Sequence, residues 1–445
     1  MILLGAGFSV PFGIPAMREF VLEFKTSITE ESDLTEFINQ IESALGNSER
    51  LIGTDITFDL ESLMVVLQDL VATEDKPISA PTFALLLHLM IQKSMIVGEY
   101  NIANVRQTFS ERAEKLLDRL RRFIFNSCIK PISTGREQGS FYFLDLLYSP
   151  LFALLGNGDF RSPTTQWIFT TNWDLCLRHW LDYALREISV EDGIVLDRHG
   201  EPVFSVDGWK KDSSDVARRT VPLHGSLGLI KKTKMMRGGA YEEIQKVSAP
   251  ETYFKGNPSE IANAFMIFPL EAVGYEQSVR SPYLDMLSLL KERLLFERDI
   301  YIVGFSFRDS TIASIFEEVL RERAQSGDWR PTMLQSKSNP AKKDVEPFKE
   351  MQMRVFLITS SPEKTIDNLR EHGYLNLANA MIPIKATFPE VINLDQKNRE
   401  PLKKKIGQLF SHIYDELVQY GLDLKLDTIQ EALKRTGLDL SFPQR

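Results

Sequence analysis

The sequence predicts an α/β fold in which a parallel sheet is layered with helices, and three observations carry that expectation. Short apolar runs end in glycine or polar turns at Ile2-Leu3-Leu4, Trp167–Thr170, Val221-Pro222-Leu223 and Ile300–Val303. Between Thr165 and Asp309 such runs alternate with amphipathic ones, Leu175–Leu185 and Leu284–Leu295, as they must when each strand returns through a crossover helix. A long stretch after the first run repeats its apolar residues at three and four, the helical period.

The first strand ends on Gly5-Ala6-Gly7-Phe8-Ser9 and leads into Gly13-Ile14-Pro15. Two glycines one residue apart let the backbone turn sharply and approach a ligand closely, because neither carries a Cβ. Amides at the following helix start are then expected to face a pyrophosphate. From Arg18 to about Ile132 the pattern is helical. Leu34, Phe37, Ile38, Ile41 and Leu45 form one stripe, Leu60, Leu63, Leu67 and Leu70 a second, and Phe83, Leu86, Leu87 and Met90 a third. A further helix starts near Ser110, buries Leu116, Leu117, Leu120, Phe123 and Ile124, and is expected to stop at Pro131.

Trp167–Thr170, Phe265–Pro269 and Asp299–Gly304 are the expected strands of the parallel sheet's next part. A loop rich in Ser, Pro, Lys and Asn follows over Gln335–Lys343, then Arg354–Thr359 reads as one more strand, with the sheet ending there or near Ile382–Ile384. From Pro401 a helix places Leu402, Ile406, Leu409, Phe410, Ile413, Leu417 and Tyr420 on one side. That stripe either caps the core or meets a second subunit. The expected division is an α/β domain over 1–17 and 133–395, a helical insertion over 18–132, and a C-terminal helical segment over 396–445.

At 445 residues the chain is long enough for one large domain with insertions or for two to three domains. A formal charge of -9 gives no general electrostatic reason to bind nucleic acid or an anionic membrane. The longest apolar stretch, around Phe83 to Ile91, falls far short of the ~20 residues of a spanning helix. Cys128 and Cys176 are the only cysteines, so neither a disulfide framework nor a four-cysteine zinc site is expected. The remaining histidines lack metal-ligand spacing, and no metal is expected. Without a basic-then-apolar leader before the first strand, the expected compartment is the cytoplasm.

Chemistry concentrates at the strand ends. Asn172 in Thr170-Thr171-Asn172-Trp173-Asp174 carries an amide that can donate and accept at once, so it suits holding a water or a sugar hydroxyl. It equally suits capping the helix that follows. His224, in Val221-Pro222-Leu223-His224-Gly225-Ser226, is the natural acid–base group, and Gly225 is expected to let a ligand come close. Asp174 either orients a ligand amide or caps a helix, and Asp309 either touches a ribose or caps a helix. Ser9, Ser306 and the amides of Ala6, Gly7 and Phe305, beside Gly5 and Gly304, make an expected anion cradle, with Arg18 available to neutralise pyrophosphate. Cys176 and His179 are spaced for a thiol nucleophile, but i,i+3 neighbours on an apolar helix usually just pack.

Taken in order, Gly-Ala-Gly-x-Ser, Gly-Ile-Pro, Thr-x-Asn-x-Asp, His-Gly and Gly-x-Ser resemble the pattern of the sirtuin superfamily. The Thr-Thr-Asn-aromatic-Asp form and the Gly-x-Ser-Phe-x-Asp ending are more narrowly similar to the sirtuin-like NAD hydrolases of bacterial anti-phage defence systems. The match covers about fifty residues. It implies a Rossmann-like parallel sheet with a large helical insertion and C-terminal helices. It implies further that NAD is the substrate, cleaved to nicotinamide and ADP-ribose in abortive infection, with Asn172 and His224 catalytic. Gly5, Ala6, Gly7, Ser9, Arg18, Asp174, Gly304, Phe305, Ser306 and Asp309 would line the nucleotide. A homo-oligomer, or pairing with a helicase-type ATPase or another defence protein, follows from the same resemblance. The alternatives are an NAD-dependent protein deacylase and a noncatalytic NAD-binding subunit. Ala16-Met17-Arg18 departs from the sirtuin Asp-Phe-Arg, so no role passes to Ala16 or Met17.

Overall fold

The structure is a computed structural model. It describes the chain apart from residues 73–77, 93–101, 138–140, 157–165, 185–188, 198, 206, 211–215, 237–238, 248, 257, 267–281, 327–352, 393–398, 423, 425–429, 431–433, 435–436 and 439–445. In chain order the described strands are β1 (Ile2–Leu4), β2 (Gln166–Thr170), β3 (Ser189–Glu191), β4 (Ile194–Leu196), β5 (Pro202–Phe204), β6 (Val216–Pro222), β7 (Gly225–Met236), β8 (Gly239–Lys246), β9 (Ala264–Met266), β10 (Asp299–Val303), β11 (Arg354–Thr359) and β12 (Met381–Lys385).

Seven of these form a sheet in the order β12-β11-β10-β1-β2-β6-β3, and every neighbouring pair is parallel. β1 lies in its middle, with Ile2 opposite both Tyr301 and Ile168. Burial on both faces explains why its three residues are all apolar, where a strand with one wet face would alternate. Parallel pairing brings the ends of β1, β2, β6 and β10 to one edge. The order reverses at β1, which is where open α/β sheets of this kind make room for ligands.

The run at Phe265 departs from expectation. β9 pairs antiparallel with β7 in a second sheet, β4-β5-β8-β7-β9, instead of joining the parallel one. Three apolar residues declare a strand but not its partner, and the residues after Met266, like the Gln335–Lys343 loop and Leu185, lie outside those described. The second sheet shares a core with the first: Leu229, Ile244 and Phe265 pack with Leu3, Trp167 and Phe169.

Between β1 and β2 the chain is helical: Met17–Ser27, Ser32–Gly46, Ser48–Ile52, Leu60–Val71, Ala80–Gln92, Ile102–Glu137 and Tyr142–Leu155. The first two stripes are buried as expected. The third is rotated: Leu85, Leu86 and Leu89 face inward while Phe83 is 39% exposed, because a helix apolar nearly all round does not announce its inner face. Pro131 does not end its helix, which continues to Glu137. A proline there forfeits one backbone bond and costs about 3 kcal/mol in an isolated helix. The burial of Ile129 and Ile132 beside it opposes that cost.

The helix Arg399–Gln419 turns its stripe into the core. Ile406, Phe410, Ile413 and Leu417 are at most 2% exposed, and Phe410 lies against Phe388 with ring centres 6.3 Å apart. These four residues of the stripe therefore cap the chain's own core, with Leu402, Leu409 and Tyr420 packed partly buried against it. Ile413→Asp is expected to lower the melting temperature sharply or to prevent soluble expression, since an unpaired buried carboxylate costs several kcal/mol. Light scattering and thermal melting check this; a folded, equally stable variant with a changed oligomeric state would restore the interface.

Candidate active site

The turns after β1 and β10 interlock by backbone alone. The Gly5 and Gly7 amides donate to the carbonyls of Val303 and Gly304, both at 2.9 Å. A Cβ on Gly5 would stand 2.5 Å from Phe305 Cα, one on Gly7 2.9 Å from the Gly304 carbonyl, and one on Gly304 inside contact distance of the Phe8 nitrogen. These glycines are thus required by chain-to-chain approach, and the Gly7 amide is not free to hold a phosphate. Nor does a helix start here: two 3-10 turns follow, Ala6–Phe8 and Val10–Phe12. The Phe8 and Ser9 amides return to Gly5 and Ala6.

Ser9 does not face outward as an anion ligand; it is a buried link between two functional candidates. Its Oγ donates to Asp174 Oδ2 at 2.6 Å and accepts from Asn172 Nδ2 at 2.7 Å. Asp174 Oδ1 accepts from the Cys176 amide at 2.8 Å, holding the start of the helix Cys176–Ala184. Burial pushes the Asp174 carboxyl above its ordinary range, against the Ser9 and Cys176 hydrogen bonds. Asn172 is fixed at its backbone too, by donation to Thr170 Oγ1 at 3.1 Å. Its Oδ1 is buried and has no partner among the described residues. With Nδ2 anchored, that oxygen is a preset acceptor.

Asn172 and Asp174 line a cavity of about 120 Å³ that also meets Thr170, Ser226, Arg178 and Lys246. Asp192 pairs with Arg178 and, at 3.1 Å, with Lys246. Burial, then the nearby Arg178, brings the Lys246 ammonium down to about 8. Cys176 is fully buried, and burial with the Asp174 charge pushes its thiol well up, so no thiolate is favoured there.

His224 follows β6 as Asn172 follows β2. Thr170 and Pro222 are register partners, the Leu223 amide extends the ladder to the Thr170 carbonyl at 2.8 Å, and both side chains stand two residues past that pair. His224 Nε2 is 2.8 Å from Asp309 Oδ2, with the residues 4% and 3% exposed. Asp309 Oδ1 accepts the amides of Thr311 and Ile312 at the start of the helix Ser310–Ser326. With the carboxylate as acceptor, a neutral imidazole carries its proton on Nε2 and its lone pair on Nδ1, which makes no hydrogen bond among the described residues. Asp309 is therefore a helix cap that also orients His224.

Gly225 has φ +76, and a Cβ there would run into the carbonyl oxygen of Phe265. Its close approach serves β9, not a ligand. Phe307 is the one described non-glycine residue with positive φ, +56, and its ring is held between Phe305 and Phe316 at 4.9 and 5.3 Å. That backbone costs on the order of 1–3 kcal/mol. It sets Arg308 on one side of the loop and Asp309 on the other, where they pair with Asp59 and His224 respectively.

Arg18 and Ser306 are exposed, and no hydrogen bond or ion pair joins either to these clusters among the described residues. Asp59, Glu61 and Arg308 were not among the sequence candidates. Asp59 caps the helix Leu60–Val71 through the Ser62 amide while pairing with Arg308. The only signal in the sequence is an Asp three residues before a Ser at the head of an apolar run, which marks a cap and nothing more. Asp197, Glu201 and Glu243 converge closely enough for a cation, but Lys234 Nζ already lies among them, at 3.6, 3.1 and 2.6 Å. Among the described residues no helix is long and apolar enough to cross a membrane. No protein-family model matches the chain, and no curated protein matches it.

Proposed function

We propose that this chain hydrolyses NAD to nicotinamide and ADP-ribose. The observation that supports this is the placement, two residues past one register pair of adjacent parallel strands, of an anchored Asn172 with a free buried acceptor and of a His224 whose Nδ1 is left open by Asp309. In such a cleavage the C1′–N1 bond breaks and its electron pair leaves with nicotinamide. Water then bonds to C1′. The protein's tasks are to hold the water or ribose, for which Asn172 Oδ1 is the acceptor, and to take the water's proton, for which His224 Nδ1 is the base. The sirtuin-like motifs are what make NAD the substrate in this reading, and the role as a cytoplasmic anti-phage effector, acting as an oligomer or with a helicase-type partner, rests on that resemblance alone.

The test is incubation of the purified protein with NAD, followed by chromatography. Nicotinamide and ADP-ribose in equal amounts, without any acylated peptide, are expected. Release that requires an acyl-lysine peptide would make the protein a deacylase. Binding without turnover would leave it a nucleotide-binding subunit.

A further inference from the structure

We infer that Glu61, carried by the helix Leu60–Val71 and not by the sheet, is a third functional side chain of this site: a carboxylate placed to favour the positive charge that His224 takes on during the reaction. The inference rests on the NAD-hydrolase reading for its chemistry but not for its geometry. The helix is docked onto the β10 loop by its own cap, since Asp59 accepts the Ser62 amide with one oxygen and pairs with Arg308 through the other. Arg308 is the residue before Asp309, so the same loop that orients His224 also fixes the helix start. Glu61 sits in the first turn of that helix.

Four charged or titratable groups act on the Glu61 carboxyl: Asp59, Arg308, His224 and Asp309. The other carboxylates are committed, Asp59 to Arg308 and Asp309 to His224 and two amides. Glu61 makes no hydrogen bond among the described residues and is half-buried. Burial first, then Asp59, raises its carboxyl to about 7, with Arg308 and His224 opposing and Asp309 adding to the rise. Around neutral pH the side chain therefore passes from neutral to an uncompensated negative charge. When His224 Nδ1 takes the proton of attacking water, an ionised Glu61 stabilises the imidazolium, and a protonated one does not. Asp309 supplies tautomer and orientation; Glu61 supplies charge that is not already balanced. It is a positioning residue acting through His224.

Glu61→Gln keeps the shape and removes the charge. It is expected to lower kcat about 10²-fold with KM changed less than about threefold, and to remove the contribution of Glu61 ionisation near 7 from the pH–rate profile, which changes its shape. Glu61→Asp is expected to retain part of that contribution. In the ligand-free protein, carbon-13 NMR of the glutamate carboxyls should show one titrating near 7 that is absent from Glu61→Gln. Nitrogen-15 NMR of the His224 ring should report the Glu61 ionisation near 7 as a change in its resonances in wild type that is absent from Glu61→Gln. An unchanged pH–rate profile in a folded Glu61→Gln overturns the inference, as do His224 ring resonances that do not respond to the Glu61 ionisation. If the wild-type protein does not cleave NAD at all, the proposed function fails by itself, and the two NMR titrations still decide whether Glu61 and His224 act as one unit.

Discussion

Replacing His224 with Ala, or Asn172 with Ala, is expected to reduce nicotinamide release to background, a loss of at least about 10³-fold, while the protein remains folded. The fold should survive because neither side chain anchors the sheet. In His224→Ala, Asp309 keeps its two amide donors and loses only the partner of Oδ2, at a cost of about 1–3 kcal/mol for one unsatisfied buried oxygen. In Asn172→Ala, Ser9 keeps its bond to Asp174, and the acceptor lost, Oδ1, had no internal partner to begin with. The loss of function follows from the same facts: the one open imidazole nitrogen and the one preset amide oxygen vanish. Thermal melting and chromatography on the same preparations check both halves. Full activity in a folded Asn172→Ala would remove that residue from the mechanism.

Much of this site was legible in the sequence because parallel pairing converts sequence pattern into position. Apolar runs that end in Gly-Ala-Gly, Thr-Thr-Asn, Leu-His-Gly and Gly-Phe-Ser must, if their strands are parallel, deliver those ends to a single edge, and they do. What the pattern could not convey was what each polar atom is spent on. Gly7 and Ser9 look from the sequence like a phosphate cradle, yet the Gly7 amide closes onto Gly304 and the Ser9 hydroxyl onto Asp174. Both outcomes satisfy the same local chemistry, and only the neighbouring loop decides between them. Asp309 similarly proves to cap its helix and orient His224 with different oxygens of one carboxylate. Glu61 escaped notice because a glutamate in a first helical turn is ordinary; its meaning comes from a loop nearly 250 residues away in the chain, tied to its helix by Asp59 and Arg308. The helix Arg399–Gln419 shows the complementary limit. Periodicity revealed its apolar face, but whether the chain itself covers that face is a property of the assembled core.

Gly225→Ala separates the two explanations of the His-Gly step and carries the largest expected stability effect. If the glycine were there to admit a ligand, alanine would leave the ligand-free protein nearly as stable as wild type and weaken only binding. The structure requires the opposite. Alanine at φ +76 pays about 1–2 kcal/mol for the left-handed backbone. Its Cβ would also collide with the backbone oxygen of Phe265, which no side-chain rotation can move aside. Relief demands that β9 shift away from β7, breaking the Gly225–Met266 and Ser226–Phe265 register and opening the shared core at Phe265. The combined loss is expected to be about 3–5 kcal/mol, at the upper end of single substitutions. It should appear as a large fall in melting temperature without any nucleotide present. His224 is the neighbouring residue, so whatever folded protein remains should also be inactive, its imidazole displaced from Asp309. A variant with wild-type stability that had lost only its response to NAD would return Gly225 to the ligand, and with it the assumption that the strand approach is incidental.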